Sequence, residues 1–424
     1  MTFFNIRFYT NTNFKQTDIG NIPFDWEISR LGDSDIAEIM MGQSPPSTTY
    51  NKDGEGLPFL QGKMEFGEIY PIPAVFCSNP LKIAEQNDVL ISVRAPVGDV
   101  NIAPYKLCIG RGLAAIRFNP NKADFRFYFY YLKRIKKYLE NLGKGSTFKA
   151  INREDLENLK IPLPPVLEQR TVAWVLSVVD LAIQRTDIVI AKTERLKKGL
   201  MQTLLTRGIG HKEFKDTEIG KIPKTWQIAS LKDVVVEAKS GFACGQRDEN
   251  GILQLRMDNI DPEGWINVEA GVKVPPPPDV EDYILKPGDI LFNNTNSVDL
   301  IGKTAIFRGE FPRCVYSNHI TRIRVDQKKI VPEWILYLLI RKWELGVFKA
   351  ICHRHVHQAG INNEDLLRLK IPLPPIEEQQ AIVSTILAND NVLRFQRNEK
   401  AKLERIKQGL MDLLLTGKVR VKVN

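Results

Sequence analysis

The chain has 424 residues, of which 43% are hydrophobic and 26% are charged. This length exceeds one typical domain and fits two or three, and the composition is that of a globular protein, so bulk disorder is excluded. Lysine and arginine number 59 against 50 aspartate and glutamate residues, which gives a net charge of +9. The surplus favours a polyanionic partner, nucleic acid before a membrane surface, although so small a surplus also fits solubility alone.

The five cysteines are widely spread and none has CxxC spacing, so neither a disulfide framework nor a zinc ribbon is indicated. Residues 1–14 lack the continuous apolar segment of a signal peptide. The longest apolar stretch, Val172–Ile183, is interrupted by Ser177 and Asp180 and is too short to span a bilayer. We therefore expect a cytoplasmic protein that makes no membrane contact.

The first recognisable element, residues 17–23, reads Thr-Asp-Ile-Gly-Asn-Ile-Pro and recurs as Thr-Glu-Ile-Gly-Lys-Ile-Pro at 217–223, an offset of 200. Further along, Leu-Lys-Ile-Pro-Leu-Pro-Pro occurs at 159–165 and again at 369–375, an offset of 210. Two such segments, repeated in the same order, predict an internal duplication. The offset grows from 200 to 210 across the centres, so the second centre is longer than the first by 10 residues.

The two centres, residues 35–145 and 235–345, differ far more than the segments that frame them. Each combines β-like runs with many glycine, proline and asparagine residues and ends in a helical segment, Phe125–Asn141 or Glu333–Phe348, which predicts an α+β class. Similar frames around different centres indicate one scaffold with two recognition domains, and drift after duplication would look the same. The predicted strands are Val89–Val93, Leu113–Phe118, Ile290–Phe292, Thr304–Phe307 and Ile320–Val325.

About 40 residues without proline follow each double proline, Val166–Thr206 and Ile376–Thr416. Apolar residues recur there at near-heptad spacing and charges occupy the other face, so each segment predicts an amphipathic helix roughly 60 Å long. A short connection, residues 207–216, predicts that the two helices pair antiparallel with pseudo-twofold symmetry. The alternative is that each helix packs only on its own domain.

The repeated order of variable domain, Ile-Pro-Leu-Pro-Pro-x-x-Glu-Gln turn and long helix ending Gly-Leu-Met-x-x-Leu-Leu-Thr resembles the specificity subunit of type I restriction–modification systems. The Ile-Gly-x-Ile-Pro-x-x-Trp opening of each half is similar to the same family, as is the segment Asn294–Thr304. The resemblance covers nearly the whole chain. The turns are residues 161–169 and 371–379, the helix ends 199–206 and 409–416, and the openings 19–26 and 219–226.

The resemblance implies an α+β protein with two similar DNA target-recognition domains, joined by two long helices that form an antiparallel coiled coil in a pseudo-twofold internal duplication. The expected segments are a first target-recognition domain at 1–165, a spacer helix at 166–207, a second domain at 208–375, a second helix at 376–416 and a C-terminal tail at 417–424.

The resemblance also implies a non-catalytic, DNA-binding subunit. Each domain would recognise one half of a split target in double-stranded DNA. The helices would set the spacing and bind two modification (methyltransferase) subunits, with restriction/translocase subunits in the larger complex. This chain would need no cofactor, whereas S-adenosylmethionine, ATP and Mg would bind to the partner subunits.

Catalytic motifs support this interpretation by their absence from the sequence. The chain contains neither an Asn/Asp-Pro-Pro-Tyr/Phe loop nor a Gly-x-x-x-x-Gly-Lys-Ser/Thr phosphate loop. Gly143–Thr147 matches the latter only in part and is better interpreted as a glycine-rich turn that contacts an anion. A stand-alone methyltransferase or nuclease, and a coiled-coil scaffold that binds no DNA, are the alternative functions.

The segment Cys352–His357 contains four potential metal ligands, but metal sites usually draw ligands from separate segments, so we predict a polar loop that faces DNA. Arginine and lysine suit guanine edges and phosphates, and asparagine or glutamine suits adenine. Basic and amide residues in loop-like or glycine-flanked positions are therefore the candidate DNA-binding residues. They are Lys63, Arg94, Arg111, Lys144, Lys149 and Arg153 in the first domain, and Arg256, Asn293, Asn294, Asn296, Lys303, His319, Lys349, His353 and Arg354 in the second.

Overall fold

A computed structural model describes residues 6–142, 150–269, 271–354, 356 and 358–423. The chain divides into two compact units, a first unit of residues 1–187 with 398–424 and a second unit of residues 188–397. Both boundaries fall inside long helices. Each unit therefore contains one globular part together with a portion of each helix, whereas the segments expected from the sequence treat the helices as separate.

The first half of the chain contains strands β1–β14 and helices α1–α4. Their bounds are β1 Ile6–Thr10, β2 Phe14–Thr17, β3 Gly20–Pro23, β4 Glu27–Arg30, β5 Ala37–Met41, β6 Tyr50–Asn51, β7 Leu57–Leu60, β8 Val75–Cys77, β9 Ile83–Ala84, β10 Val89–Ser92, β11 Val100–Ile102, β12 Leu107–Ile109, β13 Leu113–Phe118, α1 Phe125–Arg134, α2 Lys136–Leu142, α3 Arg153–Glu157, β14 Lys160–Leu163 and α4 Val166–Arg207.

The second half has a similar order, with strands β15–β28 and helices α5–α8, but two of its strands lie between α6 and α7, and one more strand follows α8. The bounds are β15 Phe214–Thr217, β16 Gly220–Pro223, β17 Gln227–Ser230, β18 Val235–Ser240, β19 Ile252–Leu255, β20 Val272–Val274, β21 Ile290–Asn293, β22 Thr295–Asn296, β23 Thr304–Ile306, β24 Cys314–Tyr316, β25 Ile320–Val325, α5 Pro332–Glu344, α6 Val347–Ile351, β26 His353–Arg354, β27 Ala359–Gly360, α7 Asn363–Leu367, β28 Lys370–Leu373, α8 Ile376–Leu414 and β29 Val419–Val423.

The two divergent centres share one sheet architecture. A four-stranded antiparallel sheet has the order β11-β10-β13-β5 in the first unit and β18-β25-β21-β23 in the second. A second sheet in each unit contains one parallel pair, β7 with β12 and β19 with β24. The similarity of the centres, which the sequence barely indicates, therefore lies in their backbone pairing.

Each predicted helix at the end of a centre is broken into two. Phe125–Asn141 becomes α1 and α2, and Glu333–Phe348 becomes α5 and α6. In the second unit the break lies at Gly346, whose φ of 74° is left-handed and ends an α-helix. Apolar spacing continues across the break, so the sequence pattern predicted one helix.

The two long helices are confirmed, at 42 residues for α4 and 39 for α8. A left-handed glycine follows each helix, Gly208 with φ 64° and Gly417 with φ 68°. A Cβ on Gly208 would lie 2.7 Å from the Trp226 ring, and one on Gly417 would lie 2.2 Å from Pro23. Glycine is required at both helix ends because the conformation and the close contact each exclude a side chain.

The two long helices pair with each other and also pack on the globular parts, so the predicted pairing is confirmed and the alternative, that each helix packs only on its own domain, is wrong. In the first unit Val172 and Leu176 of α4 share a core with Met411 of α8 and with the globular part. In the second unit Met201 of α4 shares a core with Ile382 of α8 and the second globular part. Each helix portion thus packs on a domain and on the other helix, and the predicted fold class is confirmed.

The Glu-Gln pair of the repeated turn anchors each long helix. Glu168 accepts a hydrogen bond from Trp26 Nε1 at 3.3 Å, and Glu378 accepts one from Trp226 Nε1 at 2.9 Å. These contacts explain why the tryptophan and the turn recur together in each half.

The adjacent glutamines join the start of each long helix to the loop before α1 or α5. Gln169 Nε2 donates to the Pro164 carbonyl at 2.7 Å, and its Oε1 accepts from the Asp124 backbone at 2.8 Å. Gln379 makes the same bonds, to the Pro374 carbonyl at 2.9 Å and from the Val331 backbone at 2.9 Å. Because these glutamines are fully buried, each one satisfies backbone groups that would otherwise lack a partner.

A buried tyrosine–aspartate–lysine cluster crosses the helices in each unit. In the first unit Tyr130 Oη donates to Asp180 of α4 at 2.6 Å, and Lys407 of α8 lies 2.5 Å from the same carboxylate. The corresponding cluster of the second unit consists of Tyr337, Asp390 and Lys197. Burial raises the pKa of Tyr130 and Tyr337, so both hydroxyls stay protonated and act as hydrogen-bond donors.

Residues 417–424, expected to be a tail, contribute β29, which pairs antiparallel with β1. Arg420 of this strand binds Glu168 through two nitrogens, at 2.5 and 2.7 Å, and Asp25 at 2.8 and 2.9 Å. Because Glu168 is buried, Arg420 neutralises a carboxylate that the Trp26 hydrogen bond alone would leave charged.

Arg420→Ala is expected to reduce the free energy of unfolding of the first unit by about 2–3 kcal/mol, because a buried carboxylate loses its counterion. Urea denaturation followed by fluorescence measures this. The hydrogen bond from Arg420 lowers the pKa of Asp25, so that pair stabilises the fold above pH ~4 and the stabilisation is lost as the pH falls through the lowered pKa. Arg7→Ala, an exposed change in the paired strand β1, is the control, and an equal loss there would contradict this role of Arg420.

Candidate nucleic-acid interface

Three loops meet at one edge of the first globular part, where β5, β7 and β12 end. We call them the first platform: residues 42–44, 61–62 and 110–112. Arg111 donates its backbone N–H to Ser44 Oγ at 3.2 Å, and Gly112 donates to the Gln61 carbonyl at 3.2 Å. The loops are therefore bonded to one another directly.

Glycine permits this contact between backbones. A Cβ on Gly42 would lie 2.2 Å from the Gly110 carbonyl oxygen, and a Cβ on Gly112 would lie 2.5 Å from the Gln61 carbonyl oxygen. No side chain fits between the loops at these points. The side chains beside the glycines project from a surface of backbone, a setting that suits close approach to a ligand.

The exposed side chains on this edge are Gln43, Gln61, Arg94 and Arg111, and none makes a side-chain hydrogen bond or ion pair with a described residue. Arg94 belongs here because the preceding Val93 donates its N–H to the third loop at 2.9 Å. Of these four, Arg94 and Arg111 were predicted from the sequence. Gln43 and Gln61 were missed, although the glycines beside them were a signal.

The other candidates of the first domain are occupied or lie elsewhere. Lys63 is paired with Asp99 at 2.6 Å, and Arg153 with Glu157 at 2.6 Å. The structure does not bring either one into the first platform. Lys144 and Lys149 lie outside the described residues, as does the glycine-rich turn at 143–147.

A second platform forms in the same way in the second unit, from residues 241–242, 255–256 and 317–319. Two of the predicted residues, Arg256 and His319, lie in it and are half-buried. The Arg256 guanidinium donates to the Cys244 carbonyl at 3.1 Å, which fixes its position.

Three further predicted residues share a small sheet, β22-β27-β26, beside the second platform: Asn296, His353 and Arg354. His353 lies 2.8 Å from the Asp365 carboxylate, and its hydrogen bond lowers the pKa of Asp365. Arg354 is exposed and makes no hydrogen bond or ion pair with a described residue. Asn296 and Arg354 are thus the freer polar groups of this sheet.

Asn294 and Lys303 lie in loops, as the sequence predicted, and Asn293 ends a strand, but the side chains of all three are buried. Strand β21 continues through Asn293, whose amide atoms have no partner among the described residues. Asn294 donates to Thr321 Oγ1 at 3.0 Å. Lys303 Nζ donates to the Ile260 carbonyl at 2.8 Å, and burial lowers its pKa.

Lys349 is exposed but paired with Asp299 at 2.7 Å, and its hydrogen bond lowers the pKa of that aspartate. Of the Cys352–His357 cluster, His355 and His357 lie outside the described residues. Over the described ranges, no group of three histidine, cysteine or acidic side chains is placed to bind a metal ion. Among the described helices, none combines the length and the apolar character that a membrane span requires.

A family model described as "Type I restriction modification DNA specificity domain" matches residues 23–192 and, a second time, residues 223–405. The chain belongs to this family. The two matches confirm the resemblance that the repeated turns and helix ends indicated, and each match includes one platform.

Relatives in this family carry the name of specificity subunits. The type I restriction enzyme MjaVIII specificity subunit of Methanocaldococcus jannaschii is 30% identical over 446 aligned residues, which cover 98% of each chain. The putative MjaX specificity subunit of the same organism is 54% identical over 198 residues, and the match spans 47% of each chain. The EcoKI specificity subunit of Escherichia coli is 19% identical, with 94% of this chain and 90% of that one covered.

Solved structures of the family share the fold. The type I restriction–modification S subunit from M. genitalium aligns with a TM-score of 0.64 at 15% identity, over 95% of this chain and 99% of that one. A chain from a study of complex assembly and conformational transition of the type I system aligns with a TM-score of 0.54 at 20% identity, over 94% and 99%. At these identities the likeness concerns the fold alone.

Proposed function

We propose that the chain is the DNA-specificity subunit of a type I restriction–modification complex, and that each platform reads one half of a split target in double-stranded DNA. The observation that carries this proposal is the pair of platforms, which share a backbone arrangement and differ in the side chains they present. Exposed arginine and glutamine side chains without a partner among the described residues suit base edges in the major groove.

The paired helices α4 and α8 would set the distance between the half-sites and bind two modification subunits, to which restriction/translocase subunits are added. Trp174, Val178 and Leu181 support this role, because they lie on one face of α4 and are exposed. S-adenosylmethionine, ATP and Mg would bind to those partners, in the cytoplasm. This chain would then contribute recognition and no catalysis.

Selection from a randomised duplex library by the purified full chain tests the proposal. We expect two short constant blocks separated by a fixed number of unselected base pairs, with centres about one helical turn or a multiple of it apart. Two recognition surfaces on one chain require such a split motif. Sequencing of the bound fraction reveals it, and a single uninterrupted block would contradict the two-platform proposal.

Two measurements separate the other functions. Binding through phosphates releases counterions, so DNA affinity should fall as salt is added. If the chain shows no salt-dependent affinity for DNA and enriches no sequence, a scaffold that does not bind DNA is favoured. Methyl transfer to DNA by the chain without partners would favour a stand-alone enzyme. Addition of the modification subunits should sharpen the selected motif without changing its two blocks.

A further inference from the structure

Hydrogen bonds place the two platforms in correspondence, position by position. Gly42 donates its N–H to the Leu113 carbonyl at 2.9 Å, and Gly241 donates to the Ile320 carbonyl at 3.1 Å. Each glycine directly follows the edge strand of the four-stranded sheet, β5 or β18. Each acceptor is the first residue of the strand paired with that edge, β13 or β25. The residues that follow the two glycines are therefore equivalent.

The parallel strand pairs supply the second correspondence. Gly110 donates to the Leu60 carbonyl at 2.7 Å, and Ser317 donates to the Leu255 carbonyl at 2.9 Å. Each donor lies just after β12 or β24, and each acceptor ends β7 or β19. The residue after each donor and the residue after each acceptor therefore occupy matching positions in the two units.

A third bond completes the set. Val93 donates to the Gly112 carbonyl at 2.9 Å, and Asn294 donates to the His319 carbonyl at 3.1 Å. Val93 follows β10, and Asn294 follows the corresponding strand β21. Positions 94 and 295 are thus equivalent as well.

We propose that these four equivalent positions determine which bases each domain recognises, with the shared backbone as a constant frame. All four differ between the units, while the three backbone hydrogen bonds compared above are shared. In chain order the positions carry Gln43, Gln61, Arg94 and Arg111 in the first unit, and Phe242, Arg256, Thr295 and Asn318 in the second.

The chemistry of the first set points to a half-site that contains both A·T and G·C pairs. Glutamine bonds the N6 and N7 positions of adenine, and arginine bonds O6 and N7 of guanine. Hydrogen-bonded backbones lie about 5 Å apart, so side chains on three joined loops reach successive base pairs of one major groove. All four side chains are exposed and unpaired among the described residues, so DNA would displace no hydrogen bond or ion pair that they make with those residues.

The four residues of the second unit present different chemical groups, and contacts within the unit hold some of these side chains in place. Asn318 is exposed and supplies an amide for adenine. Phe242 packs edge-on against Tyr283, with 5.1 Å between ring centroids, and presents an apolar surface suited to a thymine methyl group. Thr295 Oγ1 donates to Asn294 at 2.8 Å. The second half-site should therefore differ from the first.

This inference rests on the proposed function, and selection with variants of the full chain tests both. Gln61→Ala and Arg111→Ala should each remove the preference at one base pair of the first block, with about a 10- to 100-fold loss of discrimination there. The second block should be unchanged. Asn318→Ala should do the reverse and affect only the second block.

Gln86→Ala and Arg126→Ala are the matched controls, since both residues are exposed and precede β10 or begin α1, away from the first platform. They should leave both blocks unchanged. Gln61→Glu keeps the side-chain length but replaces the amide by a carboxylate that cannot donate a hydrogen bond to adenine N7, so it should also lose the preference, which guards against a folding effect of alanine. Thermal unfolding midpoints equal to the wild type would confirm intact folding.

The outcomes are distinguishable. If the wild-type chain selects no split motif, the proposed function fails. If it does select one and Gln61→Ala and Arg111→Ala keep the first block, the assignment of these positions is wrong while the function stands. A uniform loss of affinity over all sequences would also overturn it, because that result identifies phosphate contacts instead of base contacts.

Discussion

Asp390→Ala is expected to reduce the free energy of unfolding of the second unit by about 3–5 kcal/mol. The Asp390 carboxylate lies 2.7 Å from Lys197 Nζ and accepts a hydrogen bond from Tyr337 at 2.9 Å. Lys197 and Tyr337 are both buried, so the substitution leaves a buried ammonium and a buried hydroxyl without partners. Urea denaturation followed by tryptophan fluorescence measures the loss.

Two further variants test whether burial is the cause. Asp187→Ala removes the partner of Lys400, an exposed pair at 2.6 Å, and should cost under about 1 kcal/mol. The double variant Lys197→Met/Asp390→Leu removes both charges and should recover most of the stability lost by Asp390→Ala. If Asp390→Ala costs no more than Asp187→Ala, burial of the cluster is not what makes the Asp390 carboxylate important for stability.

Lengthening the spacer of the selected DNA target by two base pairs is expected to reduce specific affinity by about 10³-fold, toward the level of non-specific binding. Two base pairs rotate one half-site by about 70° relative to the other, since a helical turn contains about 10 base pairs. Continuous helices of 42 and 39 residues, acting as a fixed spacer, could not follow that rotation. Competition binding with the unaltered target measures the change.

Changing the identity of the spacer base pairs without changing their number is the control, and it should leave the affinity nearly unaltered. Equal affinity for the lengthened and unaltered targets would show that the spacing is adaptable. The proposal of a fixed spacer would then be wrong, although split recognition itself would stand.

Long-period patterns made the frame predictable. The repeated turns, the tryptophans and the proline-free segments fix the positions of α4 and α8 because amphipathic spacing persists over many turns. Only the structure supplies the physical reason why the glutamate and glutamine of the turn are repeated. The glutamates accept hydrogen bonds from Trp26 and Trp226, and the glutamines donate to backbone carbonyls of the same turn.

The similarity of the two centres could not be predicted from the sequence. The centres are alike in their backbone hydrogen bonds, which many different sequences can form. Lys303 follows a glycine and lies in a loop, as predicted, yet its side chain is buried and its ammonium group binds a backbone carbonyl in the interior. Gln43 and Gln61 carry no charge and lie outside any periodic pattern, so an emphasis on basic residues missed them. Glycine lies on either side of Arg111 and also next to Gln43 and Gln61, but only the basic residue among the three was selected as a candidate.

Strand β29 was missed for a related reason. Its sequence, Val-Arg-Val-Lys-Val, alternates with the period of a strand, but it is short and its partner β1 lies at the other end of the sequence. Pairings over such a separation leave no trace in local patterns.

The pairing of β1 with β29 also brings residues 6 and 423 side by side. In the second unit the peptide chain itself leads from the end of α4 through Gly208 and His211 to the hairpin β15–β16, and His211 contacts Glu378 at 2.8 Å. In the first unit Gly417 and Arg420 follow α8 in the same way, and the pairing of β29 with β1 connects this segment to the first globular part. Because residues 6 and 423 are paired neighbours, a circular permutant joined from 423 to 6 and opened at residues 209–213 should keep the fold of each unit.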